Sequence, residues 1–134
     1  MRFNNLLYSL LVCTVAFVTL QSCQSGLDAK VEARKAEVMV IHDEVMPLMS
    51  TTRKLRKQIK SHNHGNADKL ITDLEAADET MMQWMSDFGK LKDHGTVEQQ
   101  IGFLDKMEGK ASNMQSQFDD AIRNAENYVN NHKH

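Results

Sequence analysis

The stretch "ADKLITDLEAADETMMQWMSDF", residues 67–88, decides the fold. Its apolar residues Ala67, Leu70, Leu74, Ala77, Met81, Trp84 and Phe88 are separated alternately by three and four positions, and Leu91 continues the rhythm. That spacing lays a single apolar stripe along an α-helix, whereas a half-buried strand would alternate at every second residue. The same rhythm occurs on both sides. Upstream it runs through Val31, Val38, Ile41, Val45, Leu48, Leu55 and Ile59, with Thr52 filling one slot. Downstream it runs through Val97, Leu104, Met107, Ala111, Met114, Phe118, Ala121, Ala125 and Tyr128. No stretch sustains strand-like alternation, so the chain reads as all-α.

The connections set the expected topology. Ser61–Asp68, "SHNHGNAD", is a polar segment containing Gly65, and Lys92–Gly95, "KDHG", ends the second stripe. Asp28 is the expected cap of the first helix, and Asn66 or Asp68 of the second. Thr96-Val97-Glu98-Gln99 has the form of a capping box for the third. Short connections make antiparallel neighbours, so residues 28–134 are expected to form an antiparallel up-down-up three-helix bundle. Pro47 falls inside the first helix, where it lacks the N–H for the Asp43 carbonyl and should kink the axis. Gly102 and Gly109 lie on the outer face of the third helix and read as surface glycines rather than a packing seam.

The N-terminal region has a different character. Arg2 precedes a 15-residue apolar run, Leu6 to Leu20, which is short for a membrane span and ends in Leu20-Gln21-Ser22-Cys23. A positive start, an apolar run and a small residue at the cut have the layout of an export signal. The tetrad resembles the lipobox of bacterial lipoproteins, with Leu20 and Ser22 on pattern and Gln21 a less usual residue at its place. The resemblance implies cleavage before Cys23, removal of residues 1–22 as a signal helix, and diacylglycerol on the Cys23 sulfur. An ordinary secretory signal cut nearby, leaving Cys23 as a free thiol, is the alternative. Residues 23–27 would then be a short tether holding the bundle close to the membrane. Because Gln24 and Ser25, not aspartate, follow Cys23, resemblance to Gram-negative lipoproteins implies a cell-envelope location. The implied site is the outer membrane, facing the periplasm or the cell surface.

Composition narrows the remaining choices. Without residues 1–22 the chain keeps 18 acidic residues and loses one of its 16 basic ones, a formal charge of −3. That is too near neutral for a nucleic-acid partner. Cys13 would leave with the signal and Cys23 would become a thioether, so no thiol remains for a disulfide, a metal or nucleophilic attack. No Glu-x-x-His element, His-Glu-x-x-His motif or phosphate-cradling glycine loop is present, and the chain reads as non-enzymatic.

One constellation invites chemistry. Met39, His42, Met46 and Met49 form a second stripe on the first helix, and Met81, Met82 and Met85 surround Trp84 on the second. Thioether and imidazole suit Cu(I) or Ag(I), and an indole face can cover a cation. His42, Met46, Met82 and Met85, with Trp84 as aromatic cover, therefore make a candidate soft-metal site. Its side-chain heads would have to lie within roughly 6 Å of one another and be partly open to solvent. Methionine is also a versatile filler, and a core or interaction surface stands as the first reading of these residues. A simple bond from His42 to its neighbour Asp43 or Glu44 is the plainer reading of that residue. His62, His64, His94, His132 and His134 read as solvated loop or terminal side chains. The basic run "RKLRKQIK", Arg53–Lys60, suits the negative end of a helix dipole.

The stretches "IHDEVMPLM" (Ile41–Met49) and "ADETMMQWMSDF" (Ala77–Phe88) resemble segments of small, uncharacterised helical lipoproteins of Bacteroidota-type bacteria. This resemblance implies that the two stretches belong together and carries no activity with it. The leading expectation is a non-enzymatic, membrane-tethered envelope lipoprotein that serves as a helical interaction module for an envelope protein or surface. A periplasmic Cu(I)- or Ag(I)-binding protein is the alternative.

Overall fold

The computed structural model describes residues 26–62 and 67–132, and the regular structure there is entirely helical, with no strand among the described residues. Helix α1 covers residues 26–45, α2 Leu48–His62, α3 Ala67–Phe88 and α4 Val97–Asn131, with a 3-10 turn at Gly89–Asp93 between the last two. Among the described residues no helix is long and apolar enough to cross a membrane. Residues 1–22, with the expected signal helix, and Cys23 lie outside the described residues.

Pro47 does more than kink the first stretch. Met46 and Pro47 form a turn that separates α1 from α2. The Met46 amide still reaches the His42 carbonyl at 2.8 Å. The Met49 and Ser50 amides donate only three residues back, to Met46 and Pro47 at 3.3 and 3.1 Å. The missing N–H of proline leaves no partner for the Asp43 carbonyl in the ladder, so the helix stops and restarts.

Two boundary expectations change. Residues 26 and 27, expected in the tether, are already helical, so Asp28 lies inside α1 and is not its cap. Of the two expected caps of α3, Asp68 lies in the first turn, where its charge complements the helix dipole, and Asn66 lies outside the described residues. The second stripe leaves its α-helix at Phe88 and passes through the 3-10 turn, because a new helix must begin at Val97. There the capping box forms as expected. The Thr96 hydroxyl accepts from the Gln99 amide at 3.2 Å, and the Gln99 side chain accepts from the Thr96 amide at 3.1 Å. Thr96→Ala should therefore lower stability by about 1 kcal/mol in urea unfolding, with Thr96→Ser close to wild type.

The expected stripes meet in one core. Val38, Val45 and Ile59 from the first arm, Leu74, Ala77 and Met81 from α3, and Leu104, Met114 and Phe118 from α4 are fully buried. Two positions shift. Tyr128 is only half-buried and Val129 takes its place, because late in α4 the stripe advances by fours, through Ala121, Ala125 and Val129. Thr52, the polar residue in the stripe, is completely buried, and its hydroxyl lies 2.7 Å from Asp78 Oδ1 and 2.9 Å from the Met49 carbonyl. Asp78 also accepts from Arg56 at 2.7 Å, so Thr52, whose one O–H has two acceptors in reach, joins α2 to α3 through a polar network. An added Cβ at Gly102 or Gly109 would meet nothing within 4 Å, so both are surface positions.

Polar contacts show which levels of the helices adjoin. Arg34 pairs with Asp105 and Glu108, and Gln115 donates to Glu44, linking α1 to α4. Thr80 donates to Gln117 at 2.9 Å, and Lys110 pairs with Asp87 at 2.8 Å, linking α3 to α4. Carboxylates on three sides hold the Arg34 guanidinium well above its ordinary pKa, Glu108 contributing most.

Candidate functional site

The restart at Pro47 places His42 one turn before the break and Met46 within it. His42 follows Val38 by four residues and precedes Val45 by three, so within the unbroken α1 it lies in the buried row, and it is only 8% exposed. Its ring stacks on Trp84 of α3, with centroids 5.6 Å apart and planes inclined by 24°. Trp84 in turn stacks on Phe88 at 4.8 Å and donates its indole N–H to the Met107 carbonyl of α4 at 2.8 Å. The indole is thus fixed from two directions, and the imidazole rests against a rigid surface. The expectation of an imidazole partly open to solvent is corrected. Stacking on the indole seals it.

The two ring nitrogens of His42 are not equivalent. Nδ1 lies 2.9 Å from Asp43 Oδ1. A carboxylate only accepts, so Nδ1 carries a proton, and in the neutral imidazole the lone pair is then on Nε2. Nε2 is buried and has no hydrogen-bond partner, alone in this respect among the described residues. A buried nitrogen without a partner is a departure from ordinary satisfaction that calls for an explanation.

The methionines divide into two groups. Met81, Met107 and Met114 are core, as their stripe positions require. Met46, Met82 and Met85 are 46%, 58% and 40% exposed, so packing does not explain them. Met46 follows His42 by one turn. Met82 and Met85 follow Asp78, which bonds to Thr52 and Arg56 of α2, by four and seven residues and continue the same edge of α3. The exposed thioethers therefore flank the seam between the first arm and α3, at whose base His42 meets Trp84. Met39 and Met49 are half-buried on the same side of the first arm.

The other sequence candidates are not drawn into this place. His94 stacks on Phe103 and His132 on Tyr128. His64 and His134, and the side chain of His62, lie outside the described residues. The basic run splits: Arg56 turns to Asp78 and Glu75, while Arg53, Lys54, Lys57 and Lys60 are exposed. No group of three His, Cys, Asp or Glu side chains among the described residues is arranged to hold a metal.

A concavity of about 510 Å³ lies elsewhere, between α3 and α4, and is lined by Thr80, Gln83, Trp84, Asp87, Lys110 and Gln117 among others. Lys110 and, next, Lys90 hold the Asp87 carboxyl well below the usual carboxylate range. Asp87 and Lys110 pair with each other there, and it lacks a buried unpaired polar atom of the kind His42 presents. The signal that sequence reading missed is the Asp43 partner's effect on His42: adjacency was visible, but not which nitrogen it leaves free.

Compared with protein-family models, curated proteins and solved structures, the chain finds no match.

Proposed function

We propose that this chain is a non-enzymatic lipoprotein of the cell envelope, tethered through Cys23 at the outer membrane, that presents a helical surface to an envelope protein. The observation that carries this reading is the exposed edge of Met46, Met82 and Met85, three of the five large apolar side chains left exposed among the described residues. Flexible, unbranched thioethers suit an adaptable protein contact. The anchor rests on the apolar run and on Leu20-Gln21-Ser22-Cys23.

The arrangement proposed for the helices is an antiparallel up-down-up bundle. Residue numbers at paired contacts support it: they rise together between α1 and α4, from Arg34 with Asp105 to Glu44 with Gln115. They run oppositely between α3 and α4, from Thr80 with Gln117 to Asp87 with Lys110. In this arrangement both connections are short, and α1 starts near the lipid, which holds the bundle beside the membrane.

The test combines anchor and surface. Cys23→Ala in the full chain should abolish incorporation of a fatty-acid analogue and release the protein from the membrane fraction, because acyl chains supply the attachment. A photo-reactive residue at position 82 should cross-link to an envelope protein in cells, while one at the exposed position 112 should not. Equal labelling of wild type and Cys23→Ala would remove the anchor from this reading, and absence of a position-82 adduct would remove the partner.

A further inference from the structure

We propose that His42, Met46, Met82 and Met85 form a binding site for a soft monovalent cation, Cu(I) or Ag(I), with the indole of Trp84 beside it. The site depends neither on the lipid anchor nor on a protein partner.

The first argument is the state of the imidazole. Metal-binding histidines characteristically donate one ring N–H to a carboxylate, which fixes the tautomer, orients the ring and strengthens the other nitrogen as a donor. His42 has that arrangement, with Asp43 on Nδ1 at 2.9 Å and Nε2 buried without a partner. A structural histidine in a core would normally satisfy both nitrogens or leave the free one in water.

The second argument is the donor set. Thioether sulfur and neutral imidazole are soft to borderline ligands, selective for monovalent Cu(I) and Ag(I) over the harder divalent ions. No carboxylate–imidazole cluster fit for a divalent ion occurs among the described residues. The three candidate methionines are exposed, whereas those used for packing are buried, so their sulfurs remain free to move. With three rotatable bonds each, they can swing onto a cation.

The third argument is position. His42 meets Trp84, and ten residues later Thr52 meets Asp78, so advance along the first arm corresponds to retreat along α3. Met46 therefore adjoins the level of Met82, and His42 that of Met85. The Pro47 break places Met46 in a turn, at the last bond of the α1 ladder. The indole face, already fixed by its bond to the Met107 carbonyl, adds attraction for a cation held at its edge.

Trp84 is the sole tryptophan of the chain, so all indole emission comes from the residue beside His42. The full chain, purified in detergent, is titrated with silver nitrate in chloride-free buffer and with Cu(I) under anaerobic conditions. Emission should fall by about half or more and level off at one equivalent of either cation, with no such change for Zn²⁺. The variant Met46→Leu/Met82→Leu/Met85→Leu keeps apolar volume and removes the sulfurs. It should retain its helical circular dichroism and lose affinity by roughly a hundredfold or more. Asp43→Asn should weaken binding by about tenfold through the orientation and basicity of His42. An unchanged titration in the leucine variant would overturn the proposal, as would the absence of an emission change with wild type at one equivalent. The leucine variant would still offer an apolar surface to a protein partner, so cross-linking at a neighbouring position distinguishes failure of this site from failure of the surface reading.

Discussion

Trp84→Ala should lower the free energy of unfolding by about 4 kcal/mol, placing it among the most damaging single substitutions in this chain. Trp84 is only 3% exposed and joins all three packed arms: it stacks on His42 of α1 and Phe88 of α3, and bonds to the Met107 carbonyl of α4. Truncation removes the indole, leaves a cavity that Phe88 and His42 cannot both fill, and exposes the buried Nε2 to whatever water enters. Trp84→Phe separates the contributions. It retains an aromatic surface and loses the N–H, but the Met107 carbonyl keeps its helical bond, so the cost of the lost bond should be about 1 kcal/mol beyond the change in packing. Urea unfolding followed by circular dichroism measures both, and an alanine variant within about 1 kcal/mol of wild type would contradict the keystone role assigned to this residue.

Phe118→Ala should cost a similar amount, about 3–5 kcal/mol, for a simpler reason. Phe118 is the largest of the fully buried side chains, and it shares its stripe of α4 with Ala111, Ala121 and Ala125. Those alanines let the neighbouring helices approach closely, so Phe118 and Met114 fill most of the volume in the middle of the core. Small neighbours cannot expand into the space left by a phenyl ring, and each Å³ that stays empty costs about 24 cal/mol. Met114→Leu, which nearly conserves volume, should stay within about 1.5 kcal/mol of wild type in the same assay. If Phe118→Ala proved as mild as Met114→Leu, the middle of the bundle would have to be collapsible rather than closely packed.

The contrast between these residues bears on how much was legible beforehand. Phe118, Met114 and Met81 are core because a three-four spacing leaves them no other side of a helix, and a spacing is visible in a string of letters. Thr96 and Gln99 cap α4 for an equally local reason, since both partners lie within one turn. Asp28 misled because its helix begins earlier than a plausible cap suggests, and Tyr128 because the stripe drifts by a residue over a helix of 35 residues. Local rules place elements well and their ends less well, as chain ends and long helices accumulate small deviations.

For the candidate site the division is sharper. That His42, the methionines and Trp84 belong to two neighbouring faces follows from spacing alone, and so does the suitability of their atoms for a soft cation. Spacing already set Met81, Met107 and Met114 in the core stripes and Met46, Met82 and Met85 outside them. It placed His42 in the second stripe beside the core, and only the tertiary structure showed that its ring is sealed. Three-dimensional packing fills the centre with a limited volume of side chains, and once Met81, Met107 and Met114 occupy it the other thioethers are excluded to the rim. The same packing lays His42 against an indole 42 positions away in the chain and leaves one nitrogen without a partner. Periodicity along the chain determined that this protein is helical and which faces turn inward. Which groups end up satisfied, and which one does not, depends on contacts between distant residues, and those exist only after the helices have packed.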